Sequence, residues 1–122
     1  MKTRLRLTWS LLGLCLLFLT PVSLFAQKFT ASPDKMPIQQ CIDLAKSGDT
    51  VIVNEGTYYE QIDFKGKAIT VASRYILDGD ESHISKTIID GSNISDNTYA
   101  SVVYFRSGED ISSVLCGLTI RN

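Results

Sequence analysis

Gly48-Asp49-Thr50-Val51-Ile52-Val53-Asn54-Glu55-Gly56-Thr57-Tyr58-Tyr59-Glu60-Gln61-Ile62-Asp63-Phe64-Lys65-Gly66-Lys67-Ala68-Ile69-Thr70-Val71 reads as three short β patterns joined by two tight turns. Val51 and Val53 share a face of the first pattern, Ile62 and Phe64 of the second, and Ile69 and Val71 of the third. Gln61 and Asp63, and then Thr70, take the opposite faces. Alternation of period two marks strands with one dry and one wet face. Asn54-Glu55-Gly56 and Lys65-Gly66-Lys67 are turn chemistry, because glycine reaches positive φ without a steric penalty.

The same unit recurs downstream as Thr87-Ile88-Ile89-Asp90-Gly91, Ser101-Val102-Val103-Tyr104-Phe105 and Val114-Leu115-Cys116-Gly117-Leu118-Thr119-Ile120. Short strands at such intervals, with no helix between them, belong to a sandwich, a barrel or a solenoid. An antiparallel sandwich would need two-residue hairpin signals, and none is clean. In the last strand Val114, Cys116, Leu118 and Ile120 share one parity and are expected to point inward.

Upstream, Pro37 suits the first turn of a helix. Ile38, Cys41, Ile42 and Ala45 then form an apolar stripe, with Gln39, Gln40, Asp43 and Lys46 facing away and Gly48 as the stop. A helix this short needs a surface to cover, and a solenoid's open first coil is one.

Pro37-Ile38-Gln39-Gln40-Cys41-Ile42-Asp43-Leu44-Ala45, Gly48-Asp49-Thr50-Val51, Gly56-Thr57-Tyr58 with Glu60, Gly66-Lys67 and Ile69-Thr70-Val71 together resemble the opening of secreted bacterial right-handed parallel β-helix proteins, the pectin-lyase-like superfamily. Thr87-Ile88-Ile89-Asp90-Gly91 and Gly117-Leu118-Thr119-Ile120-Arg121-Asn122 look like its ordinary coil strands. The resemblance covers residues 36–122. It implies an all-β fold, a right-handed parallel β-helix of two or three coils with an N-terminal amphipathic capping helix. It implies no single activity, since the superfamily holds lyases, hydrolases, epimerases, adhesins and inert stalks.

Residues 1–26 read as a signal peptide. Lys2, Arg4 and Arg6 precede the apolar run Leu11 to Leu19, Pro21 breaks it, and Ala26 offers a small residue before Gln27. The run is too short for a stable transmembrane span. Secretion or display at the cell surface is the expected destination. Without the leader, the 12 basic residues fall to 9 against 13 acids, leaving the mature part near −4. An acidic surface with no basic stripe argues against nucleic acid. It also disfavours a direct electrostatic grip on acidic polysaccharide unless calcium bridges the charges. Residues 27–35 read as a polar lead-in with Ser32-Pro33-Asp34 as a turn. Cys41 and Cys116 are expected as separate buried thiols, since a bridge needs Cα atoms within about 7 Å. Residues 73–86 and 93–98 read as polar loops projecting from the stack. Arg121-Asn122 falls within a strand-and-turn pattern without a polar cap, so further coils are expected to follow.

No catalytic constellation emerges. Glu60, Asp63 and Asp90 are candidate outward acids, and Arg106 and Arg121 candidate bases. None has the paired spacing a hydrolase needs, nor the base-plus-cation arrangement of a lyase. Asp78, Asp80 and Glu81 around Gly79 suggest calcium, yet lack the ligand spacing of a calcium loop and read as a solvated acidic turn. His83, the one histidine, has Asp80 and Glu81 as candidate orienting partners and reads as exposed. Tyr58, Tyr59, Tyr75, Tyr99 and Tyr104 have faces that can stack on sugar rings; Tyr58 is expected in a turn and Tyr104 in the wall, and Tyr75 and Tyr99, in or near loops, are the better candidates. The functional expectation is a secreted or cell-surface module, structural or binding carbohydrate and surface glycans, with no catalytic, cofactor or metal residue assigned. The alternative is the N-terminal part of a polysaccharide lyase or glycoside hydrolase.

Overall fold

The computed structural model describes residues 25–95 and 101–122. The strands are β1 (Lys28–Ala31), β2 (Thr50–Val53), β3 (Gly56–Tyr58), β4 (Ile62–Asp63), β5 (Thr70–Ser73), β6 (Thr87–Asp90), β7 (Val103–Tyr104), β8 (Val114–Cys116) and β9 (Thr119–Arg121). Helix α1 spans Ile38–Leu44, α2 Tyr75–Asp78 and α3 Ser82–Lys86.

Three parallel sheets result, ordered β1-β2-β5-β8, β3-β6-β9 and β4-β7. From β2 onward the chain visits the first, second and third sheets in turn, and repeats that order. Parallel neighbours cannot be joined by a hairpin; here β1 reaches β2 through α1, and each later connection within a sheet runs through the other two sheets. Phe29, Val51, Val71 and Leu115 stand in one row across the first sheet. Tyr58, Ile89 and Ile120 form a row in the second, and Ile62 and Val103 pair in the third. The strand directions exclude the antiparallel alternative, whose only trace is one isolated bridge between Ser32 and Met36.

The core collects these inward rows. Val51, Val53, Tyr58, Ile62, Phe64, Ile69, Val71 and Ile89 are buried together, with Leu115 and Leu118 packed against them. Ile38, Cys41 and Ile42 of α1 are fully buried in the same cluster, as the helical spacing required. The helix rests on β1, β2 and β4 and covers the strand-end side of the core. Its second flank is fastened by Lys67, whose Nζ donates to the carbonyls of Ile42 (2.6 Å), Asp43 (2.9 Å) and Ala45 (2.7 Å). These are carbonyls that a helix end leaves unpaired.

Five sequence expectations change. Residues 27–35 contain β1, which pairs with β2 along its whole length and buries Ala31. Its mixed composition hid it, because only two of its four side chains are apolar. Helix α1 ends earlier than expected, with Ala45 as an extended C-cap; Gly48, at φ +98°, turns the chain three residues later. The wet face of β2 and β5 is not wet there, since Ile52 and Ala72 are buried as well. Residues 73–86 hold α2 and α3 where a loop was expected.

The fifth change concerns the parity of the last strands. Leu115, not Val114 or Cys116, lies in register with Val71, and Val114 is exposed. Leu118 then packs on the core, and Ile120 stands in register with Ile89. Gly117 separates the two runs at φ +67°, where a Cβ would come within 2.9 Å of Ser73 Oγ. Its left-handed backbone resets the alternation, so a single parity across residues 114–120 fails. The thiols are free, as expected, but only Cys41 is buried; Cys116 is half-exposed on the outer face. Burial, with Glu60 second, raises the Cys41 thiol and keeps it protonated.

Candidate functional site

The turn Tyr59-Glu60-Gln61 between β3 and β4 sits between two adjoining cavities. The first, about 320 Å³, is lined by Pro33, Pro37, Thr57, Tyr58, Tyr59 and Glu60. The second, about 250 Å³, is lined by Tyr59, Glu60, Gln61, Asn93, Ile94 and Ser95. Both share Tyr59 and Glu60, so they form one groove. It runs from Pro33 and Pro37 to Asn93, Ile94 and Ser95 after β6.

Local sequence explains the arrangement. Tyr58 and Tyr59 are adjacent, so they point to opposite sides. Tyr58 enters the core, 3% exposed, with its hydroxyl 2.8 Å from the Asn54 carbonyl and 3.2 Å from that of Ala31. Burial, and then the Glu60 charge, push its phenol far above the ordinary value. Tyr59 is left 57% exposed, a ring with a free face at the centre of the groove.

Glu60 is anchored. Its carboxylate accepts from the backbone N–H of Ile38 at 2.7 Å and of Gln39 at 3.3 Å, tying the turn to the first residues of α1. Burial raises its pKa and the two N–H donors oppose that rise. Gln61 Nε2 donates to the Ser101 carbonyl at 3.0 Å and lies 3.3 Å from Tyr104 Oη. The groove floor is therefore held rigidly while Tyr59 stays open.

The other sequence candidates are engaged elsewhere. Asp63 takes Arg106 Nε at 2.9 Å, and the Arg106 guanidinium lies 4.3 Å from the Tyr104 ring centroid. Asp90, far from being an outward acid, is 3% exposed. It accepts from Ser92 N, Arg121 Nε and Asn122 Nδ2 at 2.7 to 2.9 Å. The expected acids and bases thus neutralise one another in two structural pairs. Glu60 alone of the five lies in the groove.

Asp78 and Asp80 each accept a backbone N–H two residues on, at 2.9 Å, and so shape the turn between α2 and α3. Among the described residues no group of three or more His, Cys, Asp or Glu is placed to hold a metal ion. His83 is not exposed, with 13% of its side chain accessible, and its partners are Glu55 and Asp78 rather than Asp80 and Glu81. Tyr75 is half-buried beside Gly117, and Tyr99 lies outside the described residues. In the sequence Tyr59 is one of five tyrosines able to stack on a sugar and ranks behind Tyr75 and Tyr99; the adjacent tyrosine pair was the signal for it, because neighbouring side chains in an extended segment point to opposite sides.

Buried carboxylates give the fold a pH limit. Asp49 accepts from Gln27 N at 2.7 Å and Lys46 N at 2.8 Å, which lowers its pKa. Asp90 is lowered further, by Asn122 and then Ser92. An acid whose folded pKa is depressed contributes stability above its unfolded value and loses it as pH falls through the folded one. The stability that these two aspartates supply is therefore expected to be complete above their ordinary value of 3.8 and to be lost steadily below it. Urea midpoints measured from pH 6 down to about 2 check this; a midpoint that rises on acidification contradicts it.

Comparisons with known protein families, with characterised proteins and with solved structures gave no match for this chain.

Proposed function

We propose that the described residues are the first coils of a right-handed parallel β-helix, exported to the cell surface or beyond, which binds carbohydrate in the groove around Tyr59. The cyclic visiting order of three parallel sheets supports the coil reading, and the buried face of α1 supports its role as the end cap.

The observation that carries the binding reading is the exposed ring of Tyr59 between two open cavities, one lined by Pro33, Pro37 and Thr57 and the other by Gln61, Asn93 and Ser95. A sugar offers an apolar face to an aromatic ring and hydroxyls to polar neighbours. Gln61, Asn93 and Ser95 supply such neighbours. A groove that crosses stacked turns suits an extended chain better than a small rounded ligand.

Export supports the same reading. Removal of the leader after Ala26 would turn the Gln27 nitrogen into an ammonium 2.7 Å from Asp49 Oδ1. That contact ties down a new terminus immediately before β1. Among the described residues no helix is long and apolar enough to cross a membrane.

A glycan array probed with the full chain tests the function. Tyr59→Ala is expected to weaken binding about 5- to 150-fold, the worth of one ring stacked on one sugar at about 1–3 kcal/mol by analogy with base stacking. Binding that is equal in Tyr59→Ala and the parent, or no binding to any glycan, overturns the proposal.

A further inference from the structure

The His83 side chain lies between two carboxylates on two other segments of the chain. Nδ1 is 2.7 Å from Glu55 Oε1, in the turn between β2 and β3, and Nε2 is 3.0 Å from Asp78 Oδ2, at the end of α2. Ionised carboxylates only accept hydrogen bonds, and a neutral imidazole carries a single N–H. Both contacts are satisfied together only by the imidazolium. The two acids approach opposite edges of the ring, so the group is a clasp and not a metal site.

The clasp spans a structural joint. α2 and α3 meet at Gly79, which has φ +74° and open space around its Cα. The α3 side is fixed to the stack: Thr87 Oγ1 donates to the His83 carbonyl at 2.8 Å, and Thr119 Oγ1 to the Ile84 carbonyl at 2.7 Å. The α2 side carries exposed Ile76 and Leu77 and contains no buried residue. Asp78 to His83 is the ion pair that joins α2 to α3.

We propose that His83 is a pH-sensitive latch, which holds α2 and the β2–β3 turn against α3 while it is protonated and releases one of them when it loses its proton. The charged groups around it are Glu55 and Asp78 in contact, Asp80 nearby, Lys86 of α3 at 3.9 Å from Glu55, and Arg74 acting on Asp78. Hydrogen bonds from the ring to Glu55, and then to Asp78, raise the histidine above its ordinary 6.5. A raised folded pKa means that the stabilisation is complete below 6.5 and is lost as pH rises through the folded value. The latch is therefore closed in acid and opens toward the alkaline side.

With one histidine in the chain, a proton–nitrogen NMR titration of the full protein reads the ring directly. Titration above 6.5 is expected, and Glu55→Gln and Asp78→Asn should each lower it. Over the same pH interval, hydrogen-exchange opening of residues 75–80, corrected for intrinsic rates, should rise about two- to fivefold, the scale of an exposed ion pair. Asp78→Asn should show that opening at every pH. Titration at or below the ordinary value, indifference to both substitutions, or opening that does not follow the titration each overturn the latch.

Discussion

Phe64→Ala is expected to cost about 3–5 kcal/mol, a large share of the roughly 5–15 kcal/mol that holds a domain together. Phe64 is completely buried at the turn out of β4, among Ile38, Ile42, Ile62 and Ile69 of the same cluster. Its ring stacks on Phe105, with centroids 4.3 Å apart and planes 29° from parallel. Truncation opens a cavity where α1, the third sheet and the β4–β5 turn meet, and strips Phe105 of the ring that covers it. Urea denaturation followed by circular dichroism measures the loss. Phe64→Leu, which keeps most of the volume, should cost clearly less. Equal midpoints for parent and Phe64→Ala would show that this ring does not belong to the core.

Lys67→Met is expected to cost about 2–3 kcal/mol through helix α1. The substitution keeps the apolar stem and removes three N–H donors that converge on the last turn of α1. The carbonyls of Ile42 and Ala45 are partly buried, so water replaces the ammonium poorly. Lys67→Arg should rescue little, because a planar fork does not fit three carbonyls gathered about a point. Hydrogen exchange of the α1 amides is the specific readout: Cys41 N and Ala45 N, bonded to the carbonyls of Pro37 and Cys41, should lose protection before the strands do. Uniform loss across α1 and all three sheets would mean that the helix does not open as a separate cap. Glu60 holds the other end of the same helix, so the cap is fastened from β4's entry and from the turn after it.

Much of the architecture was legible because it is local. Alternation in Val51/Val53, Ile62/Phe64 and Ile69/Val71 located three strands and their inner faces, and all six residues are buried. The stripe Ile38, Cys41, Ile42, Ala45 located the buried face of α1. Where sequence reading failed, a tertiary term had overridden a local one. β1 is a strand because β2 offers it a register, not because its own residues demand one. The parity of β8 follows the row set by Val71, and Gly117 absorbs the mismatch. The candidate site was barely legible. Glu60 was named as an outward acid, yet it caps a helix 21 and 22 residues earlier, and Tyr59 acquires meaning only from the cavities beside it.

The sequence alone determined the inner faces of β2, β4 and β5 and which stripe of α1 is dry, since backbone sterics and side-chain periodicity act within a few residues. Tertiary structure alone decided the partners: Lys67 with the end of α1, Asp63 with Arg106, and His83 between Glu55 and Asp78. Those pairs span from 5 to 43 residues, and their members meet only once parallel strands have stacked in register. Electrostatic and hydrogen-bond partners are chosen by distance in space, and the register of the sheets sets that distance.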